Sequence, residues 1–411
     1  MAGRGSLPRK IRELLGARVL PRSVIALGVA SFANDVASEM VTPLIPLLLT
    51  VDLGAGPTAV GLVEGLAETA ASLLKLWSGR LADRGVAARP LVAGGYGLSN
   101  AVRPLIGLCW AWPQVAAARL ADRVGKGLRT SPRDALIARA VPEGVRGRAF
   151  GFHRAMDHAG AMLGPIAGFA LLQAGWGVRR VVLASALPGL LVVAAVLRGV
   201  PAGSRLAPAG STPAPLRWRL LDRRLKGLLV AAGGLALSSV PDAFVVLWAH
   251  EGGVRVAWVP LLWAAAHLVR AAVAYPAGRA SDRFGRTPLL IGGWSARVAV
   301  LAAMPAMPPG PAVWIGFLIF AGTTALTEGA ERALVGDRAP GRLRATAFGL
   351  YHLLHGMLAL PGAVLFGLLW RAAGMALAFR AAALVTALSA SAMLVAASGG
   401  ERGSADGGIP Q

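Results

Sequence analysis

Four carboxylates stand in two pairs of identical spacing in the first part of the chain. Asp35 and Glu39 are four residues apart, and so are Glu64 and Glu68. In a helix, residues four apart lie on one face, so each pair would bring two acids together. Crowded, poorly hydrated carboxyl groups can bind and release protons near neutral pH. The four acids are therefore candidates for proton coupling. The alternative is a structural pairing with Lys75 or with an arginine.

A stripe of four charged residues follows the acids along the chain. Arg119, Asp122, Arg123 and Lys126 recur at intervals of three and four residues, which places them on one helical face. Such a stripe could bind an anionic group of a substrate, since arginine holds carboxylates and phosphates in a planar fork. It could equally neutralise the acids at positions 35 to 68. Both interpretations stay open, and all four residues are candidates for substrate binding.

A third polar cluster combines His153, Arg154, Asp157 and His158. A histidine titrates near physiological pH, so a proton relay through Asp157 is one interpretation. A hydrogen-bonded contact between helices is the other. We keep Asp157 as a proton-coupling candidate. The remaining candidates for substrate binding are Asn34, His158 and His355.

These charged residues lie in a chain that is mostly apolar. Of its 411 residues, 55% are hydrophobic and 15% are charged, and the apolar residues come in blocks of about 20. That pattern predicts a membrane protein. The net charge of +22 would suggest nucleic-acid binding in a soluble protein, but the basic residues fall mainly between the apolar blocks. We therefore expect contact with membrane lipid and no nucleic-acid partner.

The apolar blocks predict twelve membrane spans, each long enough to cross about 30 Å of hydrocarbon. Their expected bounds are 23–50, 57–79, 90–110, 112–130, 149–174, 179–198, 226–249, 256–278, 288–305, 312–335, 345–370 and 374–397. Most arginines and lysines between spans fall on one face. The opposite face carries Arg179, Arg180, Arg255 and Arg371. Because basic loops stay in the cytoplasm, both termini are predicted to be cytoplasmic.

The two halves of the chain share a repeated pattern. The segment that begins at Gly79 and contains Asp83 and Arg84 recurs from Gly278 to Arg286, 199 residues later. Each half has an even number of predicted spans, so the repeats would keep the same orientation and be related by an axis along the membrane normal. This predicts two six-helix bundles.

The repeated segment resembles a motif of the major facilitator superfamily. In that family the loop after helix 2 carries G-x-x-x-D-R-x-G-R. Gly79, Asp83 and Arg84 match it, whereas Gly85 comes one place early and Arg89 stands in for the later basic residue. The copy in the second half is complete, with Gly278, Asp282, Arg283, Gly285 and Arg286. The resemblance implies that these residues gate the cytoplasmic face.

Two further segments strengthen the resemblance, which extends from about residue 20 to residue 397. The helix 4 motif R-x-x-Q-G is matched by Arg123, Lys126 and Gly127, with lysine in place of glutamine. The helix 5 motif of the antiporter branch is matched by five residues, with Phe169 replacing its last glycine. The five residues are Gly151, Gly160, Gly164, Pro165 and Gly168. One interpretation of this glycine face is simply a tight helix crossing. The other, which we expect in an exporter, is a sealed contact with the other half of the protein.

The sequence thus predicts an all-α membrane protein with twelve transmembrane helices in two parallel six-helix repeats. We expect an N-terminal tail (1–22), a first bundle (23–198), a linker (199–225), a second bundle (226–397) and a C-terminal tail (398–411), with the tails and the linker in the cytoplasm. No cofactor, bound metal or nucleotide hydrolysis is expected, because no ligand spacing or phosphate-binding loop is present.

The resemblance implies a monomeric secondary transporter of the bacterial inner membrane that moves a small-molecule substrate by alternating access. Export in exchange for protons is the leading prediction, because of the helix 5 motif. Proton-linked uptake of an organic anion is the alternative within transport, favoured by the stripe that contains Arg123. A membrane sensor or a lipid-acting enzyme is the alternative of another class. A sensor would need a signalling domain and an enzyme a nucleophile or metal cluster, and neither stands out.

Overall fold

The computed structural model describes residues 20–141, 146–201, 219, 223–338 and 344–398. The predicted tails and most of the predicted linker lie outside these residues. Within them the chain is almost entirely helical and forms twelve helices in two sets of six. The first six are α1 (Arg22–Asp52), α2 (Pro57–Asp83), α3 (Ala88–Leu105), α4 (Trp112–Ala140), α5 (Arg146–Gln173) and α6 (Val178–Gly199).

The second six follow the same order. They are α7 (Arg223–Leu237, continuing as Asp242–Glu251), α8 (Val259–Phe284), α9 (Arg286–Ala303), α10 (Pro311–Arg338), α11 (Arg344–Ala373) and α12 (Met375–Ser398). We call the end of the bundle where α1 begins and α12 ends the proximal end. The end where α1 and α7 finish is the distal end.

These helices follow the predicted spans, with two differences that have physical causes. α4 continues ten residues past its predicted limit to Ala140, because its charged face extends beyond the apolar block from which the limit was taken. α7 is interrupted between Leu237 and Asp242, where Pro241 cannot donate the backbone hydrogen bond that a continuous helix needs. Ser238 and Ser239 lie within this break, between the two parts of α7.

Nine of the described helices are long and apolar enough to cross a membrane. The three that do not meet this measure are α2, α3 and α4. They carry charged and small polar residues in place of part of the apolar surface, including Glu64, Arg103 and Arg119. Charged side chains at membrane depth must face the protein interior or a cavity. These three helices are therefore the ones expected to surround a polar site.

The apolar core joins the two halves at the distal end and divides at the proximal end. The distal core contains Leu48 and Val60 of the first half together with Phe244 and Phe379 of the second. At the proximal end each half has a core of its own. The first includes Val24, Leu27, Ile137 and Val196, and the second includes Leu228, Leu290 and Met393. The two halves therefore pack together at the distal end and separate at the proximal end. We call this arrangement the distal-closed form.

Two helix pairs hold the halves together. α2 packs against α11, and α5 packs against α8. At the first crossing, Thr69 Oγ1 donates a hydrogen bond of 2.5 Å to the carbonyl oxygen of Gly356. Beside the second, the ring of Phe169 on α5 lies 5.3 Å from that of Trp258, in the turn that precedes α8. These contacts flank the space in which the charged residues of α2 and α4 meet the second half.

Candidate functional site

A cavity in two parts lies at the middle of the bundle. The first part, of about 330 Å³, lies between the halves and is lined by α1, α2, α4, α7, α8 and α11. The second part, of about 490 Å³, extends among the helices of the second half. The two parts share six lining residues and are therefore continuous. The shared residues are Glu68, Ser239, Pro241, Asp242, Arg270 and His355. The break in α7 thus forms part of the cavity wall.

Glu39 of α1 contacts the opposite half of the protein. Its Oε2 atom accepts a hydrogen bond of 2.9 Å from the indole Nε1 of Trp263 and lies 3.6 Å from Nε2 of His267. Both partners belong to α8. Since Glu39 also lines the cavity, a carboxylate at the site bridges the two halves in this form. Sequence reasoning named Glu39 but missed Trp263, whose indole gave no signal beyond an ordinary aromatic residue.

Glu64 is held by an arginine of the charged stripe. The guanidinium of Arg119 donates from Nε to Oε1 and from Nη2 to Oε2 of Glu64, each at 3.2 Å. Arg119 is 3% exposed, so this is a nearly buried, two-point ion pair between α4 and α2. A charge held in this way is costly to separate from its partner. The sequence left open whether the charged stripe neutralises the acids. Arg119 of the stripe does neutralise one of them, Glu64.

The second half contains a comparable pair. Nη2 of Arg270 on α8 donates to both carboxylate oxygens of Asp242 at 3.0 Å, and its guanidinium lies 5.9 Å from the ring of Trp263. Asp242 is the first residue after the break in α7. Two of the cavity's arginines, one from each half, are therefore already paired with a carboxylate of their own half.

Glu68 and Arg123 line the cavity without such a pairing. In the described part of the chain Glu68 accepts one hydrogen bond, from the hydroxyl of Ser72 on its own helix at 3.5 Å. Arg123 makes no hydrogen bond or ion pair with any described residue, but it lies within electrostatic range of Glu68 and Asp122. Lys75 and Lys126 lie within electrostatic range of Glu68, although neither lines the cavity. Within the stripe on α4, Arg119 thus neutralises an acid, whereas Arg123 lines the cavity without a direct pairing.

Several candidate residues form a buried polar network behind the cavity. Nη2 of Arg103 donates to Oδ1 of Asp122 at 2.8 Å and approaches Oδ1 of Asn34 at 3.5 Å, and Asn100 donates to the same atom of Asn34 at 3.2 Å. Asn34 in turn donates to Asp35 at 3.0 Å. The network joins α1, α3 and α4 into one unit. Sequence reasoning missed Arg103, although a lone arginine within an apolar span was a usable signal.

The polar cluster of α5 also lies away from the cavity. Oδ2 of Asp157 lies 3.4 Å from Nδ1 of His153 and 3.5 Å from Nη1 of Arg154. His158 is exposed on the outer surface of the helix. Neither Asp157 nor His158 lines the described cavity, so the structure does not bring them to the other candidates. His355, by contrast, lines both parts of it.

The residues of the repeated loop motif lie at the proximal end. A Cβ atom at Gly79 would meet the side chain of Ser131 on α4 at 3.3 Å, so this glycine allows α2 and α4 to approach. Arg84 and Arg283 are exposed, and Arg286 donates to the hydroxyl of Ser281 at 2.9 Å. The side chains of Asp83 and Asp282 and the surroundings of Gly278 lie outside the described part.

The glycine face of α5 packs against α1 of the same half. A Cβ atom at Gly160 would lie 2.5 Å from the carbonyl oxygen of Phe32, and one at Gly164 would lie 2.5 Å from that of Val36. The expectation that this face contacts the other half is therefore wrong. Phe169, the residue that departs from the motif, does contact the other half. Gly151, Pro165 and Gly168 lie on the same helix.

Comparison with known proteins agrees with this architecture. Residues 27–360 match the family model of the Major Facilitator Superfamily. An MFS-type transporter of Methanocaldococcus jannaschii is 29% identical over 369 residues, which cover 86% of this chain and 90% of that protein. The multidrug resistance protein MdtH of Escherichia coli is 29% identical over 134 residues, which cover 33% of each.

The fold has a close counterpart among solved structures. The nucleoside transporter NupG superposes with a TM-score of 0.77 at 12% sequence identity, covering 91% of this chain and 99% of that one. At this identity the likeness concerns the fold. The family match over most of the chain identifies the overall role. The chain belongs to the major facilitator superfamily and is a multi-pass membrane transporter of small solutes rather than an enzyme.

Proposed function

We propose that this transporter couples solute movement to protons by alternating access and that Glu39 carries the coupled proton. The observation that supports the proposal is the contact of Glu39 with Trp263 and His267 across the two halves. A protonated Glu39 carries no negative charge, so it would hold the Trp263 indole and the facing His267 less strongly. Proton binding would therefore weaken a contact of the distal-closed form and favour separation of the halves at that end.

The other acidic candidates are less suited to this role. Glu64 is committed to the guanidinium of Arg119 at two points. Asp35 and Asp157 do not line the described cavity. Glu68 lines it but contacts its own helix rather than the opposite half. Because coupling requires one event to affect both proton binding and the access state, the carboxylate that bridges the halves is the best placed.

The proposed setting is the bacterial inner membrane with the proximal end in the cytoplasm. The excess of arginine and lysine in the proximal loops and tails supports this orientation. The two tails and the segment 199–225 would then be cytoplasmic, and the distal-closed form would face the cytoplasm. One chain supplies both walls of the cavity, so a monomer is sufficient for transport.

Two directions of transport have support. Export in exchange for protons is favoured by the motif residues of α5 and by the partial similarity to MdtH. However, the glycines of that motif pack within one half, so they do not form the seal that would link them to exchange. The second direction, uptake of an organic anion together with protons, is favoured by Arg123 on the cavity wall. The lining of the cavity therefore supports uptake better.

The pH dependence of the access state tests the proton-coupling proposal without knowledge of the substrate. Spin labels at two exposed distal positions, Val51 and Arg255, would report the separation of the halves in a Cys109→Ser background. We expect the distal distance to lengthen as the pH falls. We expect Glu39→Gln to show the long distance at every pH.

Glu251→Gln is the matched control, since Glu251 is an exposed carboxylate at the distal end of α7. It should keep the pH response of the unchanged protein. A Glu39→Gln protein with the same pH response would show that the coupled proton resides elsewhere.

A further inference from the structure

Four arginines line the described cavity, and they differ in whether a carboxylate is paired with them. Arg119 is paired with Glu64, and Arg270 is paired with Asp242. Arg123 and Arg297 also line the cavity, and neither makes a hydrogen bond or ion pair with a described residue. A buried or half-buried cation without a partner is unfavourable, so its retention points to a ligand that supplies the missing charge.

Arg123 has the stronger case of the two, because its surroundings are basic. Asp122, next to it in sequence, is already bound to Arg103 at 2.8 Å. The remaining carboxylate nearby, Glu68, is shared among Lys126, Lys75 and Arg123. On the α2 and α4 wall, three cations therefore face a single uncommitted acid. Arg297, by comparison, lies within electrostatic range of three carboxylates, those of Glu331, Asp242 and Glu328.

From this contrast we infer that Arg123 binds an acidic group of the transported solute, which is a small organic anion carrying a carboxylate or phosphate. The inference rests on the proposed carrier function and specifies its substrate class. The guanidinium supplies two parallel donors that match either group. Lys126, one helical turn further along α4, adds positive charge on the same side.

The rest of the cavity fits the polar body of such a solute. Its second part is lined by the hydroxyl-bearing residues Thr324, Thr327 and Thr386 and by Ser238. Ser239, at the break in α7, lines both parts. Apolar drug sites are lined mainly by hydrophobic and aromatic side chains. The described lining here is instead rich in charges and hydroxyl groups, which favours a hydrophilic anion.

Binding of an anion at Arg123 also bears on the direction of transport. It would place negative charge beside Glu68 and so favour proton binding at that carboxyl group, in addition to the proton that we propose for Glu39. The ionisable groups that face Glu68 are Lys75 on its own helix, Arg123 and Lys126 on α4, His355 on α11, and Asp242 and Arg270 at the far side of the shared cavity. Anion and proton would then bind to the same form of the carrier, which is the requirement for uptake together with protons.

A panel of defined probes tests the inference on the full-length protein in detergent or vesicles. Acetate, succinate, citrate and inorganic phosphate represent anions, while choline and mannitol represent a cation and a neutral solute. We expect at least one anion to bind and to take up protons from a weakly buffered solution. In Arg123→Gln, the affinity for that anion should fall by about tenfold or more.

Two further variants distinguish loss of the Arg123 guanidinium from misfolding and from the loss of positive charge elsewhere. Arg123→Lys retains the charge without the planar fork and should bind the anion with intermediate affinity, which shows that the site still folds. Arg180→Gln, which removes an exposed arginine at the start of α6, should bind as the unchanged protein does. Unaltered affinity in Arg123→Gln, proton release on binding, or binding of choline or mannitol alone would each overturn the inference. So would failure of every anion to bind.

The outcome separates this inference from the proposed function. If Glu39→Gln abolishes the pH response but no anion depends on Arg123, proton coupling stands and the substrate class is wrong. If an anion depends on Arg123 while Glu39→Gln keeps the pH response, the substrate site stands and the coupled proton resides elsewhere.

Discussion

The indole nitrogen of Trp263 donates a 2.9 Å hydrogen bond to the carboxylate of Glu39, and this bond joins the two halves of the transporter. Glu39 lies on α1 and Trp263 on α8, which belong to different six-helix bundles. The contact lies at the cavity, between the distal core and the site at which Arg123 is available. We propose that, through this interaction, the occupancy of the cavity affects the separation of the halves.

Trp263→Phe should shift the access state toward the distal-open form. The substitution keeps an aromatic ring but removes the N–H donor to Glu39. A hydrogen bond to a charged group contributes about 1.5 to 3 kcal/mol, which corresponds to roughly a tenfold or greater change in the ratio of the two forms. Distances between labels at Val51 and Arg255 would measure the shift. Trp176→Phe, at an exposed distal tryptophan, is the control and should leave the distances unchanged.

The Arg119–Glu64 pair should behave as a structural unit in a double-mutant cycle. Arg119→Gln alone leaves the half-buried Glu64 carboxylate without its partner and should lower the free energy of unfolding by about 3 to 5 kcal/mol. Arg119→Gln combined with Glu64→Gln removes both charges and should restore most of that loss. Thermal unfolding in detergent would compare these two variants with Glu64→Gln alone and with the unchanged protein. Additive losses in the double variant would show that the two side chains act independently.

The topology prediction can be checked with a single thiol. Cys109 is the one cysteine of the chain and is buried, so Cys109→Ser gives a background without reactive thiols. A cysteine introduced at Thr212, in the predicted linker, should react with a membrane-impermeant maleimide only after the cells are opened. A cysteine at Arg255, in the loop after α7, should react in intact cells. The reverse pattern would invert the orientation inferred from the basic loops.

Much of the architecture was accessible from sequence because the membrane constrains it strongly. The apolar blocks predicted the number and order of the helices, and the repeat around Gly79 and Gly278 predicted the two halves. The i, i+4 spacing correctly placed Glu64 and Glu68 on a cavity-lining face. These inferences depend on periodicity within one helix, which a sequence displays directly.

The contacts between helices could not be predicted from periodicity within one helix. The sequence could not decide whether the α4 stripe neutralises acids or binds a ligand, because Arg119 and Arg123 differ only in what faces them. The partners of Glu39 lie 224 and 228 positions further along the chain, and no local pattern relates them to it. The glycine motif of α5 correctly indicated a close helix crossing but not which helix takes part. Partner choice depends on how the helices pack in three dimensions.

Gly164→Ala should destabilise the first half of the protein rather than uncouple transport. A Cβ atom at this position would lie 2.5 Å from the carbonyl oxygen of Val36 and 3.0 Å from the backbone nitrogen of Met40. These are backbone atoms of α1, so α1 and α5 would have to move apart. Overpacking of this kind costs about 1 to 3 kcal/mol. We expect lower abundance in the membrane and a lower unfolding temperature.

Two other glycines supply matched comparisons for Gly164. Gly94 lies in α3 with open space around its Cβ position, so Gly94→Ala should leave stability equal or slightly improved. Gly65 lies at the α2–α11 crossing, where a Cβ atom would meet the Cα atom of Leu360 at 2.8 Å. Because that crossing joins the halves, Gly65→Ala should alter the distal label distances while each half stays folded. Normal stability in Gly164→Ala, combined with proton leak across vesicle membranes, would instead restore the view that α5 seals the two halves against each other.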